Sequence, residues 1–196
     1  MAIPYLHTAE TKLMLQVKKD LSRHEAFREY AYPDPLSPMG KKYRGWNWGK
    51  VAARELLGRI AGFKVEDGNP WTYGYGFTHN VTCDSRIQPV AAERQLESLI
   101  LEMNLVLGET FSWYKASSFI TKTILINMAF NMGLSKLKGF KNTLEFIRKN
   151  DYENAARNMQ LSLWYTQTGS RARELVERMR TQTIEPQYKA GDTING

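Results

Sequence analysis

Glu25 stands in His24-Glu25-Ala26-Phe27-Arg28, nine residues ahead of Asp34, and Trp71-Thr72-Tyr73-Gly74-Tyr75-Gly76 follows further along the chain. An acid at a helix end, an aspartate between two prolines and a threonine opening a glycine-alternating strand can be gathered around one cleft. Two carboxyls in different surroundings can hold opposite protonation states. The protonated one donates to a leaving oxygen while the ionised one steers water to the far face of a sugar, which is the chemistry of glycosidic-bond hydrolysis. A helix C-terminus carries partial negative charge and penalises a carboxylate, so Glu25 is expected to be the acid. Singly, each residue has a plainer reading: a surface glutamate, a turn-forming aspartate and an ordinary strand threonine.

The elements that must position these groups follow from pattern and punctuation. A first helix is expected from about Thr8 to Phe27, with Leu13, Leu15, Val17, Leu21 and Phe27 interleaved among charges. Tyr32-Pro33-Asp34-Pro35 then enforces extended backbone. Residues 36–70 begin basic and aromatic (Lys41, Lys42, Tyr43, Arg44, Trp46, Trp48, Lys50) and continue as a short amphipathic helix over Val51–Phe63, closed by a turn at Asp67-Gly68-Asn69-Pro70. Trp71–Thr78 alternates and is expected as a strand, its glycines admitting another backbone or a ligand. A long amphipathic helix is predicted over Gln88–Leu107 and capped by Gly108. Ser117–Met132 is apolar nearly all round and stops at Gly133, which marks a helix buried on every side. Shorter helices follow at Asn142–Lys149, Asp151–Ser162 and Thr168–Arg180, with Asp151 and Thr168 as N-caps.

Composition bounds the function classes. The 196 residues suffice for one domain, or for two small lobes sharing a helix. One cysteine, Cys83, excludes an internal disulfide and any CxxC metal site, and the three histidines lack metal-ligand spacing, so no metal and no cofactor are expected. Met1–His7 does not read as a secretory signal, and no run approaches the roughly 20 apolar residues that span a bilayer. A soluble protein made in a cytoplasm, without stable membrane insertion, is the expectation. The net charge of +7 suits an anionic partner, whether nucleic acid, acidic lipid or bacterial wall. The basic residues are spread out and match no nucleic-acid-binding motif, so nucleic acid is not expected as a partner.

The second half of the chain carries a more specific signal. It reads Leu125-Ile126-Asn127-Met128-Ala129-Phe130-Asn131-Met132-Gly133, then Gly139-Phe140-Lys141-Asn142-Thr143-Leu144, then Trp164-Tyr165-Thr166-Gln167-Thr168, Arg171-Ala172 and Arg180-Thr181. This run resembles the phage-type lysozymes, a glycoside hydrolase family. With Glu25–Asp34 and Trp71–Gly76, the resemblance covers somewhat over half the chain. It implies an α+β, mainly α fold: a small N-terminal lobe with a β hairpin (1–87), a connecting helix (88–108), a larger helical lobe (109–184) and a flexible tail (185–196). It also implies that Glu25 is the general acid, Asp34 the second carboxylate, Thr72 a holder of the attacking water, and Arg171 the partner of the catalytic glutamate. Thr78, Phe130, Asn131, Thr143 and Asn158 fall where the family binds glycan; core packing is an equal reading for Phe130. Asn131 stands where the T-even enzyme has a glutamine.

On that resemblance the reaction is cleavage of the β-1,4 bond between N-acetylmuramic acid and N-acetylglucosamine in peptidoglycan, by a monomer. Inversion is expected for carboxyls about 6.5–9.5 Å apart and retention for a spacing near 5 Å. Two settings suit such an enzyme: the host cytoplasm, with release to the periplasm and wall through a holin pore, or a virion tail. The rival readings are a lytic transglycosylase, which needs no water-positioning carboxylate, and a non-catalytic wall-binding module. Three departures from the family stand out. The 35–70 segment is a long insertion, Phe77 replaces a histidine of the T-even enzyme, and a small helix before the connecting helix is missing. Trp46 and Trp48 could stack on sugar while the neighbouring cations meet wall carboxylates; the duller reading has the insertion packing as extra core.

Overall fold

A computed structural model describes residues 8–60, 62 and 64–184; the expected tail at 185–196 and the predicted helix end at Phe63 lie outside the described residues. The chain runs α1 (Ala9–His24), β1 (Arg28–Pro33), α2 (Pro38–Lys42), α3 (Ala53–Leu57), β2 (Trp71–Gly74), α4 (Pro89–Thr110), α5 (Phe119–Met132), α6 (Leu134–Lys138), α7 (Lys141–Arg148), α8 (Tyr152–Gln160), α9 (Leu163–Thr168) and α10 (Ser170–Thr181). The architecture is α+β and mainly α. The described residues divide into two compact units, Lys18–Leu99 and the flanking 8–17 with 100–184.

In the Lys18–Leu99 unit the sheet is the frame. β1 and β2 pair antiparallel with Tyr32 opposite Thr72 and Pro33 opposite Trp71; a register irregularity separates these from Arg28 opposite Gly74. The other edge of β1 is also used, since Ala31 N donates to Ser85 O and Ile87 N to Glu29 O, both at 2.9 Å. These bonds correct the expected helix end. α1 stops at His24, three residues earlier than predicted, because Arg28–Pro33 finds ladder partners on both sides that a helix would forfeit. The strands are joined through the whole insertion, and the tight turn follows β2: Tyr73 N bonds Phe77 O at 3.1 Å and Phe77 N bonds Tyr73 O at 2.9 Å. The strand predicted to reach Thr78 therefore folds back after Gly74, whose φ of +62° is open to glycine at little cost.

The insertion builds the core of this unit. Ala31, Met39, Ala53, Trp71 and Cys83 are buried together, with Tyr43, Trp48, Leu57 and Val81 packed against them. Both inner indoles satisfy their N–H: Trp71 Nε1 donates to Val65 O at 3.0 Å and Trp48 Nε1 to Tyr43 O at 3.1 Å. The predicted helix over Val51–Phe63 shrinks to α3, five residues closed at Gly58. Arg54 on α3 grips Asp84 with both Nε and Nη2, holding that asparate-bearing loop in place and drawing the Asp84 carboxyl below its ordinary pKa. From α1, Lys18 Nζ reaches Glu97 at 2.6 Å and Glu93 at 3.1 Å on α4.

In the second unit α5 is the buried axis, as its composition predicts: Thr121 and Thr123–Ala129 are inaccessible, and Ser118 caps its start by accepting from Thr121 N. Gly133, at φ +82°, ends it. α10 packs against α5, α8 and α9, and α7 against α8. Two predicted punctuation marks are corrected. Gly108 does not cap α4, which runs on to Thr110; a Cβ there would make only ordinary contact, 3.4 Å from Lys115 Cε. Thr168 ends α9, and Gly169 opens α10. Asp151 does cap α8, its carboxylate accepting from Asn154 N at 3.2 Å. Asp151→Ala is expected to cost about 1 kcal/mol in denaturant unfolding; an unchanged midpoint would remove the cap from the account.

Candidate active site

Glu25, Asp34, Thr72 and Thr78 all belong to the Lys18–Leu99 unit. Glu25 closes the last turn of α1, its N–H donating to Leu21 O at 2.8 Å. Its carboxylate lies beside the β2 turn: a Cβ built on Gly76 would stand 3.8 Å from Glu25 Oε2. Phe27 and Tyr75, with ring centroids 5.5 Å apart, join the same two loops.

Asp34 sits one residue past β1, where every backbone group is tied. Its N–H donates to Gly68 O at 3.1 Å, and its carbonyl accepts from Ser37 N at 2.9 Å and Ser37 Oγ at 2.7 Å. Oδ1 accepts from Leu36 N at 2.6 Å, while Oδ2 accepts no hydrogen bond from the described residues. Ser37 also caps α2 by accepting from Gly40 N at 3.0 Å. The carboxylate is thus fixed through one oxygen, with the other left for a ligand or water.

Tyr32 belongs to the same neighbourhood, and no sequence motif marks it. It faces Thr72 across the sheet, and cross-strand partners present side chains on one face. Its phenol is held above the ordinary tyrosine pKa by burial first, then by the Glu25 carboxylate, with Asp34 adding in the same direction and Arg28 opposing. Both acids therefore lie within electrostatic reach of one hydroxyl, next to Thr72, which is itself buried. The available signal was the Tyr-x-Asp spacing, because residues two apart in an extended chain share a side.

Tyr32→Phe is expected to lower turnover about tenfold, about 1.4 kcal/mol of barrier, by removing the hydroxyl that both carboxylates act on, while the fold persists. The sign of the pH effect follows from the raised phenol: its contribution is complete below the ordinary phenol range near pH 10 and is lost as pH rises through the folded-state value. Wild type should therefore lose stability more steeply than the variant above about pH 10. Alkaline melting curves, with 295 nm titration, would check this; coincident curves would remove Tyr32 from the site.

The remaining predicted site residues lie in the second unit. Arg171 on α10 is buried, its Nε donating to Asn127 Oδ1 at 2.7 Å. Phe130 is half-buried and Asn131 exposed at the end of α5. Asn131 Oδ1 accepts from Trp164 Nε1 at 2.8 Å, and Phe140 meets the same indole edge-on at 6.0 Å. Thr143 is buried and cannot present its hydroxyl to solvent; it donates to Asn158 Oδ1 at 2.8 Å and so orients that amide. Asn158 in turn lines an open pocket of about 430 Å³ with Gly139, Phe140, Asn142 and Ser162. Thr78 is exposed beyond the β2 turn. Among the described residues no helix is long and apolar enough to cross a membrane.

The phage lysozyme family model matches residues 60–182, a span that includes Thr72 and Arg171 and begins after Glu25 and Asp34. "Probable T4-type lysozyme 1" of Dictyostelium discoideum is 29% identical over 116 residues, 54% of this chain and 66% of that protein. "Probable T4-type lysozyme 2" of the same organism is 29% identical over 118 residues, 57% of this chain and 69% of that protein. "Peptidoglycan hydrolase gp36" of Pseudomonas phage phiKMV is 27% identical over 142 residues, 68% of this chain but 15% of its own length. The chain spans about two thirds of the slime-mould proteins and a small part of the phage one. With a match over more than half of its residues, on the α+β architecture described above, the chain belongs to the phage lysozyme family of glycoside hydrolases.

Proposed function

We propose that the protein hydrolyses the β-1,4 bond between N-acetylmuramic acid and N-acetylglucosamine in bacterial peptidoglycan. The observation that carries this reading is the placement of the three groups around one small sheet: Thr72 on β2 opposite Tyr32, Asp34 one residue past β1, and the Glu25 carboxylate beside the turn that follows β2, in a chain of the phage lysozyme family. Glu25 donates its proton to the leaving oxygen as the glycosidic bond breaks. Asp34, through the oxygen left free by the Leu36 N–H, and Thr72 orient the water that attacks the anomeric carbon from the opposite face. Arg171 supplies a positive charge; Thr78 in the Lys18–Leu99 unit, and Phe130, Asn131 and Asn158 in the second unit, bind the sugar chain, with Thr143 acting through Asn158. No metal or cofactor takes part in this scheme.

Product analysis tests it. Reducing N-acetylmuramic acid ends are expected from purified sacculi; anhydro-muramic ends would replace hydrolysis by transglycosylation. NMR of the first-formed anomer separates inversion from retention. Sacculus binding with no released sugar would make the protein a non-catalytic wall-binding module.

Two placements of the activity are open to such an enzyme: release onto the wall late in infection, or carriage in the virion. The likeness to a short part of a much longer phage peptidoglycan hydrolase favours including the second. Mass spectrometry of purified particles decides between them.

A further inference from the structure

We propose that Trp46, with Trp48 behind it and Lys41, Lys42, Arg44 and Lys50 on the same exposed stretch, is an accessory subsite for the peptide-bearing, anionic glycan strand of the wall. The inference rests on the peptidoglycan reading above. Residues 35–54 hold five of the chain's 27 Lys and Arg and none of its 20 Asp and Glu, so this stretch contributes +5 toward the total of +7. Arg54 pairs with Asp84; Lys41, Lys42, Arg44 and Lys50 are exposed, with Lys42 Nζ 5.7 Å from the Tyr43 ring centroid. Stem peptides bring carboxylates to a glycan strand, which is the complementary sign.

The aromatic half of the argument is Trp46 itself. Of the five tryptophans it is the most exposed, at 37%, whereas Trp71 is 1% and Trp164 8% exposed. It lies near-parallel to Trp48, with centroids 6.0 Å apart at 21°, and Tyr43 braces it edge-on at 4.8 Å. Trp48 continues into the buried Trp71 at 6.2 Å. The exposed indole therefore tops an aromatic column rooted in the core. A flat, rigid, amphipathic ring loses little entropy on contact and suits the apolar C–H face of a pyranose.

The column is held at fixed positions on the catalytic frame. Gly49 O accepts from Tyr30 N of β1 at 3.1 Å. At the other end, a Cβ on Gly40, the residue before Lys41, would lie 2.0 Å from the Asp34 carbonyl oxygen. The platform thus adjoins the Asp34 end of the site, so a strand laid on it leads toward the reacting bond. The segment lies before the span matched by the family model, and this subsite belongs to this chain's insertion. A basic aromatic patch could also stack single-stranded nucleic acid; the attachment to Asp34 favours the glycan.

Co-sedimentation with purified sacculi tests the proposal on the full chain, in a Glu25→Gln background so that substrate persists. Trp46→Ala should weaken sacculus binding about tenfold, on the scale measured for stacking contacts, and Trp46→Phe should keep most of it. Lys41→Gln with Lys42→Gln should weaken binding at low salt and not at high salt, and that effect should vanish on sacculi stripped of stem peptides by an amidase. Melting curves accompany each variant, and Trp46→Gln substitutes if the alanine variant does not fold. Wild-type binding by the tryptophan and lysine variants overturns the subsite. So does single-stranded DNA binding that depends on Trp46 while sacculus binding does not. Sugar release by the protein with Glu25 intact, measured in parallel, separates the two readings: release with an unaffected Trp46 variant overturns only the subsite, and no release overturns the hydrolase reading.

Discussion

Glu25→Gln is expected to reduce sugar release from sacculi by about 10²–10⁴-fold, the usual contribution of a positioned general acid, while the protein still unfolds in one cooperative transition. Glutamine matches glutamate in shape and keeps the polar contacts of an amide, but it has no proton to give to a leaving alkoxide. The helix end survives because it depends on the backbone bond from Glu25 N to Leu21 O, which the substitution does not touch. Asp34→Asn provides the companion measurement. Its amide can still meet Leu36 N, and only the charge that orients water is lost. Turnover should fall for both variants with sacculus binding retained. A Glu25→Gln protein that clears a wall suspension at the wild-type rate ends the assignment of the acid.

The second large effect comes from a residue that touches no substrate. Gly40→Ala is expected to cost about 1–3 kcal/mol, as overpacking does, and to cut turnover on the order of a hundredfold, as a displacement of about 1 Å can. The added Cβ would lie 2.0 Å from Asp34 O, 2.9 Å from Asp34 C and 3.0 Å from Pro35 Cα. All three are backbone atoms, so no side chain can swing aside. Either α2 lifts away, breaking the Ser37 cap and uncovering Met39, or Asp34 moves. Gly58→Ala is the matched control, since its Cβ meets only helix carbonyls at 3.7 and 3.9 Å at an ordinary φ of −61°. That change should be neutral or slightly stabilising. If Gly40→Ala were as stable and active as Gly58→Ala, the insertion would not be buttressing the second carboxylate.

Glu25 and Asp34 stand out in the sequence as an acid at a helix end and an acid between prolines. Gly40 is one of fourteen glycines, and nothing in Ser37-Pro38-Met39-Gly40 tells that its missing side chain makes room for Asp34. Tyr32 is similar: its neighbours in sequence suggest an extended chain, but its place beside Thr72 depends on a strand pairing with a residue forty positions away.

What the amino-acid order determines by itself is local. The apolar circumference of α5 demands burial wherever that helix goes, Gly133 ends it, and Asp151 caps α8 through a bond three residues long. The groups able to do the chemistry are likewise present as types and intervals. The tertiary structure alone decided that Arg28–Pro33 is a strand, that α1 yields at His24, that Trp48 packs on the core while Trp46 stays outside, that Gly108 lies inside α4, and that Gly40 is a close approach. Caps and periodicity act over about one helical turn, whereas a ladder partner or a steric neighbour is chosen by chain segments that meet only after folding.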